Sequence, residues 1–116
     1  MNSEIKNILN NLNVNDKNIP VSHLRYKGNS KTYVTWAIIG ETPELMANSQ
    51  YLYSVVALDV DVFSDGNYSS IMKEIKKRFI DSDWVWVEDS QEMYEDDTQL
   101  YHRTITFEKE KEISNG

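Results

Sequence analysis

The 116-residue sequence contains no cysteine, only two prolines and only four glycines. Because cysteine is absent, the chain forms no disulfide and offers no thiolate to a metal ion. So few glycines leave little material for the glycine-rich loops that bind phosphate groups. A chain of this length suffices for one hydrophobic core, so we expect a single domain over residues 1–116.

The sequence also lacks a long hydrophobic run. No stretch reaches the roughly 18 apolar residues that a membrane-spanning helix needs. Residues 1–4 lack the basic and apolar regions of a secretory signal peptide. We therefore expect a soluble, intracellular protein that does not cross a membrane.

Basic side chains are scarce relative to acidic ones. The chain has 12 lysines and arginines against 19 aspartates and glutamates, a net charge of −7. Binding to a phosphate backbone draws on lysine and arginine. The charge balance therefore predicts no direct binding to nucleic acid, and it is compatible with a basic protein partner.

The spacing of apolar residues predicts two helices, each with one apolar face. The first covers residues 3–12, where Ile5 and Leu9 lie on the same face. The second covers about 68–80, where Ile71 and Ile75 do so. Three lysines of the second helix fall outside its apolar face: Lys73, Lys76 and Lys77.

Alternation of side chains and β-branched residues predict five strands. The loop 27–30 has the composition of a hairpin turn and predicts that the first two strands form a hairpin. Residues 40–50 lack periodicity and predict a long loop, and 109–116 predict a frayed tail. The five predicted strands cover residues 21–26, 32–39, 51–63, 84–88 and 99–108.

The order of these elements is α-β-β-β-α-β-β, without an internal repeat or a linker. Such an order is typical of a single α+β domain. We expect a mostly antiparallel, twisted sheet of about five strands with the helices packed on it.

Two acidic patterns resemble metal sites. One resembles the start of a calcium loop and consists of Asp59, Asp61, Asp65 and Gly66. In a loop that starts at Asp61, Phe63 and Met72 occupy positions that need oxygen ligands, so we expect no calcium. The run 81–97 holds eight carboxylates and no basic residue. It is compatible with a divalent-metal site, a docking face for a basic partner, or a solvated hairpin tip. The eight are Asp81, Asp83, Glu88, Asp89, Glu92, Glu95, Asp96 and Asp97.

Catalytic signatures are missing from the sequence. The two histidines, His23 and His102, have no second histidine nearby, and His102 fits either a general base or a surface position on a strand. No nucleophile-elbow, phosphate-loop, dinucleotide or zinc-protease motif is present. We expect no catalytic residue, no cofactor and no metal.

Tryptophans are concentrated in one predicted strand. Trp84 and Trp86 point to one side of it, and Val85 and Val87 point to the other. If the valines face the helix, the tryptophans lie on the far face of the sheet and need a cover. That cover is either a second copy of the chain or the N-terminal helix.

The C-terminal segment 94–107, YEDDTQLYHRTITF, resembles the closing strand of the tail-terminator (tail-completion, or head–tail joining) proteins of long-tailed bacteriophages and prophages. Upstream, the strand ending LDVDVF at 58–63 leads into an amphipathic helix and a short aromatic strand, as in that family. The resemblance covers residues 4–110 and rests on element order and short patterns.

This resemblance implies a structural role in virion assembly. Members of the family form a homo-oligomeric ring, a hexamer on the tail, which caps the tail tube and joins it to the neck. The implied partners are other copies of the chain, the tail tube protein and the head-completion proteins. The implied location is the host cytoplasm during assembly and then the virion neck. No cofactor and no enzymatic activity are implied.

A ring requires a heterologous interface, in which one patch meets a different patch on the neighbour. Opposite charge suggests that the lysines of the second helix pair with the acidic hairpin of a neighbouring copy. The candidate interface residues are Lys73, Lys76, Lys77, Trp84, Trp86, Glu92, Glu95 and Asp96.

An alternative function follows from the acidic composition. An inhibitor or immunity-type protein of this size can occupy the basic cleft of a nucleic-acid enzyme. Its carboxylates would form the binding face, and the protein would be a monomer when alone.

Overall fold

The computed structural model of the protein describes residues 1–45 and 52–113. It is a single α+β domain with two helices and a mostly antiparallel sheet, as the element order predicts. The helices are α1 (Asn2–Ile8) and α2 (Ser69–Asp81). The strands are β1 (Asn13–Val14), β2 (Lys17–Asn18), β3 (Val21–His23), β4 (Thr32–Leu45), β5 (Leu52–Ser64), β6 (Val85–Asp89), β7 (Met93–Glu95) and β8 (Leu100–Ile113).

The main sheet has the order β3-β4-β5-β8-β6, and β7 pairs with the start of β8. β5 is antiparallel to both of its neighbours, so β4 and β8 run in the same direction. The connection from β5 through α2 to β6 crosses over β8. Strands β1 and β2, each two residues long, form a separate hairpin.

Both helices pack on the same face of the sheet. The predicted alternation of β5 is confirmed, since Val56, Leu58, Val60 and Val62 are all buried there. Phe79 of α2 stacks on Phe107 of β8 with a ring separation of 4.6 Å. We call this the helix-covered face, and the opposite side, on which no described helix packs, the open face.

The end of α1 is held by a side chain of α2. Arg78 donates hydrogen bonds of 3.0, 2.9 and 3.2 Å to the carbonyls of Ile8, Asn10 and Asn11. The last carbonyls of a helix lack partners within the helix, and a cationic donor satisfies them. α1 ends at Ile8, earlier than the predicted residue 12, although Leu12 is still buried in the core.

The predicted hairpin around residues 27–30 is wrong. β3 runs parallel to β4, with Val21 beside Val34 and His23 beside Trp36. The chain leaves β3 because Leu24 adopts a left-handed conformation with φ 71°. Because β3 ends at His23, residues 24–31 are long enough to carry the chain back to the level at which β3 began. β4 then starts there and runs parallel to β3.

The predicted loop at 40–50 and the predicted frayed tail at 109–116 are wrong for the described residues. Residues 40–45 continue β4 after a bulge between Ile38 and Gly40, and 109–113 continue β8. Residues 46–50 and 114–116 lie outside the described part of the chain. Both faces of the added strand segments are largely polar, which hides the period-2 signal.

These added segments form a three-stranded arm, made of residues 39–45, 52–55 and 108–113. On its strands the hydrophobic core ends at Trp36, Val56 and Phe107. The strands continue beyond that point, and the longest dimension of the molecule is 52 Å against 26 and 23 Å for the others. The arm therefore presents sheet edges away from the helix-covered core.

Candidate interaction surfaces

The two tryptophans of the β6 region lie on the helix-covered face, not on the far face. Trp84 is buried edge-to-face against Phe79, at 5.7 Å between ring centroids. Trp86 lies beneath Lys76, whose Nζ is 4.2 Å from the ring centroid. The assumption that Val85 faces the helix is therefore wrong: this side chain is 63% exposed.

The turn between α2 and β6 accounts for this orientation. Asp83 adopts a left-handed conformation with φ 70°, and the amide of Trp84 donates to the carbonyl of Phe79. This turn folds Trp84 back beneath the helix that precedes it. The N-terminal helix also packs on this face, because Glu4 accepts a hydrogen bond from Trp84. Of the two covers that the sequence suggested, the N-terminal helix therefore lies on the helix-covered face, and contact with a second copy stays a prediction.

One of the three predicted interface lysines is engaged within the molecule, by a carboxylate outside the predicted hairpin set of Glu92, Glu95 and Asp96. Lys76 forms an ion pair of 2.6 Å with Asp89, and both side chains are mostly buried. Lys73 and Lys77 of the same helix are exposed. Of the predicted basic patch, these two lysines remain available for a second copy.

The acidic hairpin is also partly engaged. Tyr68 donates a hydrogen bond to Glu92, and burial together with this contact raises the pKa of Tyr68 to about 12. Glu95 accepts from Thr98 at 3.0 Å, and Asp96 is exposed. The hairpin is thus anchored to α2 through Glu92, whereas Asp96 stays free for external contacts.

The eight carboxylates of residues 81–97 do not converge on one point. Among residues 1–45 and 52–113, no group of three or more histidine, aspartate or glutamate side chains has an arrangement that could hold a metal ion. Asp59 and Asp61, which belong to the pattern that resembles a calcium loop, accept hydrogen bonds across the sheet. Asp59 accepts from Thr106, and Asp61 accepts from Thr104. These contacts stabilise strand pairing.

A ladder of stacked rings crosses the open face. Tyr26, Tyr33, Phe63 and His102 stack in succession with ring separations of 4.3, 4.7 and 4.1 Å. The Nε2 atom of His102 lies 2.8 Å from a carboxylate oxygen of Asp61. The sequence did not reveal this ladder because it depends on the register of β4, β5 and β8 and on where the segment after β3 places Tyr26.

The open face is acidic. The register places six carboxylates on the β4, β5 and β8 part of this face, whereas Arg103, Lys109 and Lys111, the described basic residues of these strands, lie on the helix-covered face. Tyr53 donates a 2.6 Å hydrogen bond to Glu44, which raises the pKa of the tyrosine. The six are Glu44, Asp59, Asp61, Glu108, Glu110 and Glu112.

The arm has two unpaired edges. On one side, β3 pairs with β4 only as far as Trp36, so β4 has no described partner strand beyond it. On the other side of the arm, β6 pairs with residues 105–108 of β8 and no further. Residues 109–113 therefore have β5 on one side and no described strand on the other. Unpaired edges are where another chain can add to a sheet.

A cleft lies at the step where β6 stops and β8 continues. It has a volume of about 420 Å³. Two valines, one on each side of Glu108, provide its apolar part, and charged residues surround them. The lining residues are Val55, Asp83, Val85, Glu108, Lys109 and Glu110.

No protein-family model matches the chain, and no curated protein matches its sequence. Within the described ranges, neither helix is long and apolar enough to cross a membrane. The exposed edges, the open face and the charged hairpin are therefore the features from which a function is inferred.

Proposed function

We propose that the protein is a structural virion assembly protein that works as a ring of identical copies, caps a phage tail tube and joins it to the neck. The observation that carries this proposal is the arm, which has an unpaired edge on each side of the same sheet. A chain with two different free edges can bind a copy of itself on either side. Such head-to-tail contacts produce closed rings when the rotation between copies closes.

Exposed apolar side chains at both ends of the sheet support self-association. Ile38 and Ile39 of β4 are 36% and 55% exposed, and Val85 and Val87 of β6 are 63% and 47% exposed. Apolar groups at a strand edge favour contact with another chain over contact with water. Their positions on opposite ends of the sheet suit a heterologous interface.

The molar mass in solution tests this function. We expect light scattering after size-exclusion chromatography to reveal a species near six times the 13.6 kDa chain mass, with a population that rises with concentration. Electron microscopy of purified phage tail tubes mixed with the protein would then locate the ring at the tube end. A protein that stays monomeric at every concentration and leaves tail tubes undecorated would contradict the proposal.

The alternative, an acidic inhibitor or immunity-type protein, is favoured by one observation. The six carboxylates lie on the open face, and the described lysines and arginine of the same strands lie on the opposite face. An acidic surface of this kind suits a basic partner. Titration calorimetry against basic nucleases tests this function, and binding should weaken as salt rises. Inhibition by a monomer would favour the alternative, whereas a ring that binds no nuclease would exclude it.

A further inference from the structure

We propose that the ring interface, which rests on the proposed function, is a continuous sheet formed between arms. In this interface residues 41–45, on the free edge of β4 of one copy, pair with residues 109–113, the free edge of β8 of the next. The occupant of each edge is thus a second copy of the same chain.

The register within one molecule fixes the relative position of the two edges. Gly40 of β4 and Glu108 of β8 both pair with Ala57 of β5, so they lie at the same height along the arm. The two strands also run in the same direction. A second copy therefore brings residues 41–45 of its β4 beside residues 109–113 as a parallel strand at matching height. Because β6 occupies the edge of β8 up to Glu108, the incoming β4 turns away from β8 before residue 41, at the bulge between Ile38 and Gly40.

The charges of the two edges are complementary on the helix-covered face. Lys109 and Lys111 of β8 point to this face, because they pair with the buried residues Val56 and Ser54. Glu41 of β4 points there too, since it also pairs with Val56. Lys109 is already bonded to Glu4 and to the carbonyl of Ser82 within the chain. In the proposed interface, Lys111 is therefore the lysine that pairs with Glu41 of the neighbouring copy.

Symmetric pairing of two β8 edges is disfavoured by the same pattern. Lysines and glutamates alternate from 108 to 112, so each face of the strand carries one sign of charge. Antiparallel pairing with an identical strand would place lysine opposite lysine and glutamate opposite glutamate, which is destabilising. The edge of β8 therefore selects a different strand as its neighbour.

The cleft beside β8 matches the apolar start of the β4 edge. A strand added to residues 109–113 would continue the line of β6 and pass over the cleft at Val55 and Val85. At the height of this cleft, the incoming strand presents Ile39, which is 55% exposed in the single chain. Pro43 lacks an amide hydrogen and fits an edge strand, so it limits the pairing to a short segment.

Disulfide trapping tests this interface, because the natural chain has no cysteine. Thr42 and Glu110 both pair with Val55, from opposite sides. Two strand spacings separate them by about 9–10 Å, which exceeds the roughly 7 Å limit for a disulfide. A chain carrying both Thr42→Cys and Glu110→Cys therefore forms a disulfide between these positions only with another copy.

We expect the oxidised double variant to give a ladder of covalent trimers and larger species on non-reducing gels. Each single variant should stop at dimers, because it has one thiol per chain. Oligomers that form in solution but give no ladder would overturn this interface and leave the proposed ring intact. A double variant that neither associates nor cross-links would overturn the interface and the ring together.

A charge exchange provides a second readout. Glu41→Lys and Lys111→Glu should each weaken association roughly twofold to fivefold. The variant carrying both changes should recover it, because the pair is restored with opposite polarity. Lys17→Glu, an exposed change on β2, is the matched control and should leave association unchanged. Equal effects of all three single changes, without recovery, would overturn the proposed pairing.

Discussion

The indole Nε1 of Trp84 donates a hydrogen bond of 3.1 Å to Oε1 of Glu4. The same carboxylate oxygen lies 2.6 Å from Nζ of Lys109. One side chain of α1 is therefore bonded to the residue before β6 and to β8. This contact fixes the N-terminal helix on the sheet at the base of the arm.

The stability of the protein should depend on the ionisation of Glu4. Burial alone would raise the pKa of this carboxyl, but the hydrogen bonds from Lys109 and Trp84 and the charge of Lys109 outweigh it and lower the pKa below its ordinary 4.5. A group with a lowered pKa contributes stability above its unfolded-state pKa, and this contribution is lost as the pH falls through the folded-state pKa. Glu4→Gln should therefore reduce the free energy of unfolding by about 1 kcal/mol at neutral pH and have a smaller effect in acid.

Urea unfolding followed by tryptophan fluorescence, from neutral pH to about pH 3, measures this dependence. Glu88→Gln is the matched control, because Glu88 is exposed and makes no described side-chain hydrogen bond. The control should keep the pH dependence of the natural chain. A Glu4→Gln variant with the same acid sensitivity as the natural chain would contradict the assignment.

Removal of the Arg78 side chain should loosen α1. Arg78→Met removes the three hydrogen bonds to the carbonyls at the end of α1 and the contact of 2.8 Å with Glu74. We expect a loss of about 1 kcal/mol in the free energy of unfolding, because these carbonyls lose a charged donor and two of them are exposed enough to bond water instead. Hydrogen exchange of the α1 amides should accelerate in parallel. Lys77→Met, an exposed change in the same helix, is the control, and equal losses in both variants would refute the role of Arg78.

The elements with strong periodicity were predicted well from the sequence. β5 and α2 appear within one or two residues of the predicted bounds, because each buries a regular apolar stripe. Tyr51, the predicted first residue of that strand, lies outside the described residues. The arm was missed because Gly40 and Pro43 interrupt an already polar pattern. Local composition alone therefore could not distinguish an exposed strand from a loop.

The features of the candidate surfaces were harder to predict, because they depend on tertiary contacts. The orientation of Trp84 is set by the left-handed turn at Asp83, and a single sequence does not reveal that conformation. The engagement of Lys76 by Asp89 depends on where β6 lies relative to α2. The opposite charges were visible in the sequence, but whether they pair within a chain or between chains was not. A single chain does not test an interface, so the predicted interface roles stay predictions for all eight residues: Lys73, Lys76, Lys77, Trp84, Trp86, Glu92, Glu95 and Asp96.

Lys76 should contribute to the stability of the single chain. Its ammonium contacts both the Asp89 carboxylate and the ring of Trp86, so Lys76→Met removes an ion pair and a cation–π contact. We expect a loss of about 1 kcal/mol in the free energy of unfolding, part of which disappears at high salt. Lys73→Met is the control in the same helix and should be near neutral. If Lys76→Met left stability intact and instead weakened association, the lysine would serve the interface after all.

Substitution of Gly28 should disturb the end of the aromatic ladder. A methyl group at this position would overlap the hydroxyl end of Tyr26, which accepts a 2.9 Å hydrogen bond from the amide of Ser30 and stacks on Tyr33. Gly28→Ala must therefore displace the tyrosine, and we expect a loss of about 1 kcal/mol in the free energy of unfolding. Gly66→Ala is the control, because a methyl group there meets nothing within 4 Å. It should be neutral or slightly stabilising, since alanine restricts the unfolded chain. Thermal unfolding of both variants decides the matter: equal midpoints would mean that Tyr26 does not hold the ladder in place.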